Sequence, residues 1–128
     1  MALGKQIGQF SLQPTSQTFG PGPGTALMFH GNMEGTVAGE RGEGTVALTH
    51  YVEFEPNAKK GTWTQYGWVV LTDGTGIGFR SQGTWEETGP GKWRYRGTGQ
   101  NSEGMTYATE FEGDASTRTW AGKLYEWS

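Results

Sequence analysis

The chain has 128 residues, a length typical of one domain, with 13 acidic and 10 basic residues and a formal net charge of −3. The basic residues are scattered, whereas phosphate binding draws on clustered positive charge, so no nucleic-acid partner is expected. Cysteine is absent, which excludes disulfides, thiolate metal sites and cysteine nucleophiles together.

No segment of the sequence approaches the ~20 consecutive apolar residues that would span a bilayer, so no membrane partner is expected. The residues from Met1 to Lys5 show no basic region followed by an apolar run of signal-peptide length. We therefore expect a cytoplasmic protein.

The most distinctive feature of the composition is its content of glycine and aromatic residues, with 23 Gly, 6 Trp, 6 Phe and 5 Tyr. Each Gly inside a helix costs about 1 kcal/mol relative to Ala, so this composition argues against helices. Aromatic residues and Thr suit a pleated surface, and Gly suits turns and bulges. The composition predicts an all-β fold.

Runs of alternating or aromatic residues, bounded by Gly, Pro, Asn or Asp, predict eight strands. In chain order they cover residues 6–14, 25–37, 44–55, 62–71, 77–87, 92–98, 105–112 and 119–127. Two prolines and three glycines place residues 19–24 in a loop. Short turns between eight strands favour a single antiparallel up-and-down β-barrel over residues 1–128, because closure removes the sheet edges.

Successive strand residues point to opposite faces, so the more apolar parity of each strand is predicted to line the barrel. The predicted lining is Leu27, Phe29, Met33, Val37, Val46, Leu48, His50, Val52, Phe54, Ile77, Phe79, Ser81, Trp85, Trp93, Tyr95, Met105, Tyr107, Thr109 and Phe111. The fourth and eighth strands are apolar on both parities. A homo-oligomer that buries Trp68, Tyr125 or Trp127 on the outer wall would explain this, as would a mistaken parity.

Three inward polar side chains are the candidate catalytic residues. His50 lies in an apolar row, where an imidazole can act as a general acid or base and where desolvation lowers its pKa. Tyr95 and Tyr107 are candidate donors to a substrate carbonyl or enolate. The alternative is structural: a buried histidine bonded to Thr109 or a tyrosine hydroxyl, and tyrosines that serve as core aromatics.

Six apolar side chains are the candidate substrate-binding wall, namely Phe29, Met33, Phe79, Trp85, Trp93 and Phe111. The alternative is that they fill the barrel, because eight strands enclose room only for side chains or one small ligand. Glu126 faces inward only if the eighth strand uses the parity of Trp120 and Leu124.

No metal or cofactor is expected. His30 and Glu34 share one strand face, but His50, the third ligand they would need, is predicted on the opposite face. Residues 74–78 read GTGIG and open a strand, with no helix N-terminus to hold phosphate.

Four segments carry a resemblance to a known family. They are residues 29–37 (FHGNMEGTV), 42–45 (GEGT), 76–86 (GIGFRSQGTWE) and 97–100 (GTGQ). This spacing of Gly, Thr and aromatics resembles the bacterial relatives of the allene oxide cyclase barrel, which are small lipocalin-like domains. The resemblance implies an eight-stranded barrel with an internal cavity and, in some members, cyclase activity. It transfers no catalytic residue, because the first strand, where the plant cyclases carry a carboxylate, has no acid here.

The expected function is binding of a small, largely apolar organic molecule in an aromatic cavity, with cyclisation or isomerisation as the expected reaction. Such catalysis can depend on positioning of the substrate, which lowers the activation barrier by up to ~7–11 kcal/mol in intramolecular reactions. One alternative is a carrier or sensor without activity. Another is a fully packed barrel that acts as an oligomeric interaction module.

Overall fold

The computed structural model describes residues 3–127, and it contains eight strands and no helix in that range. The strands are β1 (Leu3–Pro21), β2 (Leu27–Gly39), β3 (Gly42–Phe54), β4 (Lys60–Leu71), β5 (Gly76–Gly89), β6 (Lys92–Asn101), β7 (Thr106–Asp114) and β8 (Thr119–Trp127). Each strand pairs antiparallel with its chain neighbours, and β1 also pairs with β8. The predicted closed, eight-stranded up-and-down barrel is confirmed.

A search of residues 3–127 for a helix long and apolar enough to cross a bilayer finds none.

The first strand differs most from its predicted bounds, because it continues past residue 14 to Pro21. The residues from 16 to 21, partly assigned to a loop from the sequence, pair with β2. β8 reaches along β1 only as far as Leu12, so the segment 13–21 projects as an arm that is paired on one side. Proline has no amide hydrogen to donate and is tolerated at such an edge, which is why Pro14 does not end the strand and Pro21 can be its last residue.

The structure decides the two strands whose parity the sequence left open. In β4, Trp63 points inward and is 2% exposed, whereas Tyr66 and Trp68 point outward and are 55% and 54% exposed. In β8, Trp120 and Leu124 share the inward face. The inward rows predicted for the remaining strands are also the rows found, except at two row ends: Leu27 and Met105 were predicted in the lining but are 37% and 40% exposed, because each lies at a barrel end where few residues cover it. The homo-oligomer expected from the outward aromatics stays a prediction.

Large aromatics cover glycines, and this explains why the chain is rich in both. The inward examples include Trp85 over Gly61, Phe79 over Gly67, Trp63 over Gly97, Tyr107 over Gly99, Trp120 over Gly113 and Phe111 over Gly122. A Cβ at Gly61 would lie 2.8 Å from Trp85 Nε1, and one at Gly97 would lie 2.7 Å from a Trp63 ring carbon. Glycine leaves the space that the ring occupies, and the ring covers the exposed backbone.

The barrel interior is divided along its axis into a filled half and a hollow half. An aromatic cluster of Trp63, Trp85, Tyr95 and Phe111, with Trp93 and Trp120 against it, fills the end that carries the β3–β4, β5–β6 and β7–β8 turns. Smaller side chains, Leu12, Met33, Val46 and Leu48, form the core toward the other end. This change from large to small residues is what leaves an open cavity above the aromatic cluster.

Candidate functional site

The hollow half holds a cavity of about 630 Å³, within the size range of ligand pockets. Its wall is mostly aliphatic and aromatic, and includes Phe10, Leu12, Val46, Leu48, Val69, Leu71, Ile77, Phe79 and Leu124. Gln65, Tyr107 and Thr109 are polar side chains within the wall. The cavity opens at the end that carries the β2–β3, β4–β5 and β6–β7 turns, where Arg41 and Met105 line its mouth.

A row of mostly polar residues runs across neighbouring strands of the barrel wall, and the register between the strands determines which residues belong to it. Successive Cα partners from β3 to β8 are His50, Gln65, Ser81, Gly99, Tyr107 and Glu126. We call these residues the polar row. The row runs from the aromatic cluster, where His50 is 3% exposed, to Glu126 at the mouth.

His50 lies between the aromatic cluster and the cavity, and Gln65 stands on its cavity side. Its ring stacks on Trp63 with centroids 5.6 Å apart and meets the edge of Tyr95 at 5.3 Å. Its Nδ1 is 3.2 Å from Gln65 Oε1, and Nε2 has no partner in the described part of the chain. Burial lowers the pKa of His50 to about 4, against a smaller opposing effect of the Gln65 hydrogen bond. His50 is therefore neutral at pH 7.

Tyr107 supplies a hydroxyl within the cavity. Its phenol lies over Gly99, where any side chain would collide with the hydroxyl oxygen, and it approaches Ser81 on β5. Burial raises the pKa of Tyr107 to about 12, and the nearby Ser81 hydroxyl partly opposes this shift. The phenol keeps its proton at neutral pH and remains a hydrogen-bond donor. Ser81 Oγ is itself buried without a partner of good geometry among residues 3–127.

An ion pair joins two turns at the cavity mouth. The Arg41 guanidinium, in the β2–β3 turn, donates to both carboxylate oxygens of Glu103, in the β6–β7 turn, at 3.0 and 2.6 Å. The strand order places these turns on opposite sides of the barrel. The hydrogen bond and charge of Glu103 raise the pKa of Arg41, with a lesser contribution from Asp73 in the β4–β5 turn. The pair therefore links two opposite sides of the cavity mouth.

We expect breaking this ion pair to speed exchange of a ligand. Arg41→Gln should raise the uptake and release rates of a neutral dye such as N-phenyl-1-naphthylamine by roughly twofold to fivefold, as suits a half-exposed pair. Stopped-flow fluorescence measures both rates. Arg94→Gln is the matched control, because it breaks the 3.3 Å contact with Glu112 on the outer wall. Equal rates in wild type and Arg41→Gln would contradict this function of the pair.

The nine candidate site residues occupy different places. Phe79 and Tyr107 line the cavity. Trp85, Trp93, Tyr95 and Phe111 belong to the aromatic cluster or pack against it, and His50 contacts it.

Within the aromatic cluster, Tyr95 accepts a 3.4 Å hydrogen bond from Trp120 Nε1, and burial raises the pKa of Tyr95. Met33 lies in the aliphatic core. Phe29 packs against Phe19 of the β1 arm, with ring centroids 5.2 Å apart.

Gln65 is the cavity residue that the sequence reasoning missed. It lies in β4, whose two parities are both apolar, so the alternation of apolar residues did not by itself show which face of the strand is inward. The signal lay in its spacing, because Gln65 shares its parity with Trp63 and with Val69 and Leu71. Glu126 has inward parity but sits at the mouth with its side chain 53% exposed.

A comparison with known proteins finds no matching family model, no matching curated protein and no matching solved structure. The resemblance to the allene oxide cyclase barrel therefore stays a prediction.

Proposed function

We propose that the barrel binds a small, largely apolar organic molecule in its cavity. The observation that carries this proposal is a volume of about 630 Å³ enclosed by an aliphatic wall and left open at one end. Burying apolar ligand surface there contributes about 25 cal/mol per Å² before the costs of binding. A packed interaction module would require a filled interior, so the cavity favours ligand binding over that alternative.

We further propose that the bound molecule is held in a reactive shape, so that cyclisation or isomerisation is the reaction supported. The support is one hydroxyl donor, Tyr107, set within an apolar wall. Donors aimed at a developing oxyanion stabilise it strongly in a water-poor site. His50 has no part in this proposal, because Gln65 separates it from the cavity. A carrier is the alternative, and it differs from a cyclase in returning its ligand unchanged.

Filling the cavity tests the proposal. Val69 lines the cavity, and Val70, its neighbour on β4, faces outward and is 38% exposed. Val69→Trp should weaken binding of N-phenyl-1-naphthylamine at least about tenfold, because the indole takes up space that the dye needs. Val70→Trp, the matched control, should bind the dye as the wild type does.

Fluorescence titration gives both affinities, and circular dichroism checks that each variant keeps its β structure. Unchanged affinity in a folded Val69→Trp protein would show that the dye does not occupy the cavity. Equal loss in both variants would point to a general effect on the fold instead.

A further inference from the structure

Two hydrogen-bond donors, Gln65 and Tyr107, line one wall of the cavity, and Ser81 is buried next to them. Gln65, Ser81 and Tyr107 occupy successive places in the polar row, separated only by Gly99. Because Gly99 has no side chain, the Tyr107 phenol lies across β6 toward Ser81. The three groups therefore belong to one cluster, although they come from three strands.

The orientation of Gln65 is set from outside the cavity. Its amide oxygen faces His50 Nδ1 at 3.2 Å, and a neutral imidazole can donate from that nitrogen. The amide NH₂ group is then directed to the cavity, where it finds no acceptor among residues 3–127. His50 is thus a positioning residue, which acts on a ligand only through Gln65.

The two groups of the cluster that line the cavity can both donate a hydrogen bond. Gln65 presents an amide NH₂, and Tyr107 presents a hydroxyl that keeps its proton. The Ser81 hydroxyl is buried close to the Tyr107 hydroxyl and has no hydrogen-bond partner of good geometry in the described part of the chain. Covering such donors with hydrocarbon would leave them unsatisfied, which is costly in a low-dielectric interior.

The charges near the cavity disfavour an anionic ligand. No Lys or Arg lines the inner wall among the described residues. At the mouth, Arg41 is paired with Glu103, and Lys5 lies between Glu40 and Glu126 at 3.3 and 3.8 Å. A carboxylate drawn down to the donor cluster would lose its hydration without gaining a cation.

We propose that Gln65 and Tyr107, with Ser81 buried beside the Tyr107 hydroxyl, recognise an uncharged acceptor oxygen, of the ketone, ester or lactone class, on an otherwise apolar ligand. This inference rests on the proposed function, since it assumes that the cavity is the binding site. It also gives the bound ligand an orientation. The oxygen points at the wall formed by β4, β5 and β7, and the hydrocarbon part contacts the aliphatic wall opposite.

Two probes of nearly equal shape separate the inference from the proposed function. They are 2-acetylnaphthalene and 2-isopropenylnaphthalene, which differ in an oxygen against a CH₂ group. Displacement of N-phenyl-1-naphthylamine gives the affinity of each. The wild type should bind the ketone about tenfold more tightly than the hydrocarbon, relative to their partition between water and alkane.

Three variants assign the preference to the cluster. Gln65→Leu and Tyr107→Phe should each weaken ketone binding about fivefold and leave hydrocarbon binding within about twofold of wild type. Thr49→Val is the control, because that hydroxyl lies outside the cavity, on the outer wall, where it donates to Asn32 Oδ1 at 2.7 Å; it should change neither affinity. The ¹³C=O stretch of the bound ketone should move to higher frequency in Tyr107→Phe, a change that a purely structural loss would not produce.

The outcomes are distinct. If neither probe binds, the cavity is not a binding site and the proposed function fails. If both bind but the ketone has no advantage, or keeps it in Gln65→Leu and Tyr107→Phe, the donor cluster does not recognise the ligand, and binding in the cavity stands.

Discussion

Replacing Trp63 by Ala is expected to lower the free energy of unfolding by about 3–5 kcal/mol, the range for removing a large aromatic from a core. Trp63 contacts much of the aromatic cluster: its ring meets Phe111 at 5.3 Å and stacks with His50 at 5.6 Å. Its Nε1 donates to the Thr84 carbonyl at 2.9 Å, so the substitution also removes a hydrogen bond.

Trp68 provides the matched control on the same strand. It points outward and is 54% exposed, and its ring covers Gly76 on β5. Trp68→Ala should cost no more than about 1 kcal/mol. Urea unfolding of wild type and both variants, followed by circular dichroism, measures the difference. Equal losses in the two variants would mean that the aromatic cluster is not the main packed core.

Acid should destabilise the protein through His50. The pKa of this histidine is about 4 in the folded chain and about 6.5 when it is exposed. Between these values the unfolded chain binds the proton and the folded chain does not, so stability falls as the pH decreases from about 6.5 to 4 and is constant with respect to His50 outside that window. A shift of this size corresponds to about 3 kcal/mol.

The two histidines allow an internal comparison. His50→Gln should remove most of the loss of stability between pH 6.5 and 4, whereas His30→Gln, a change on the outer wall, should keep it. Asp73 and Asp114 accept hydrogen bonds from Thr75 and Ser116 respectively, and these bonds lower the pKa of each carboxyl group. Their effect on stability therefore falls at lower pH, and it is the same in all three proteins. Urea unfolding at a series of pH values gives the slopes. A wild-type slope that persists in His50→Gln would refute this assignment.

The sequence predicted the architecture well because the signals for strands are local. Gly, Pro, Asn and Asp mark every turn, and period-two alternation identifies the inward face wherever one parity is clearly more apolar. His50 was placed on the inward face in this way. The end of β1 was missed because prolines usually end a strand, whereas here an arm with one free edge tolerates them.

The site was less predictable because it depends on register between strands. The alternation within β4 does not reveal that Gln65 lies beside His50 on one side and Ser81 on the other. The division into a filled and a hollow half depends in turn on which glycine each aromatic covers, as Trp63 covers Gly97. Six of the nine candidate site residues were placed on the inward face correctly, yet they lie in or beside the aromatic cluster or in the aliphatic core, outside the cavity lining.

Intermolecular nuclear Overhauser effects from bound N-phenyl-1-naphthylamine to assigned methyl groups test most directly whether the cavity binds apolar molecules. The dye protons should show contacts to the methyl groups of Leu48, Leu71 and Leu124, which line the cavity, and none to Val70 or Leu27 on the exposed surface. Contacts to Val70 or Leu27 with none to the cavity leucines would contradict binding inside the barrel.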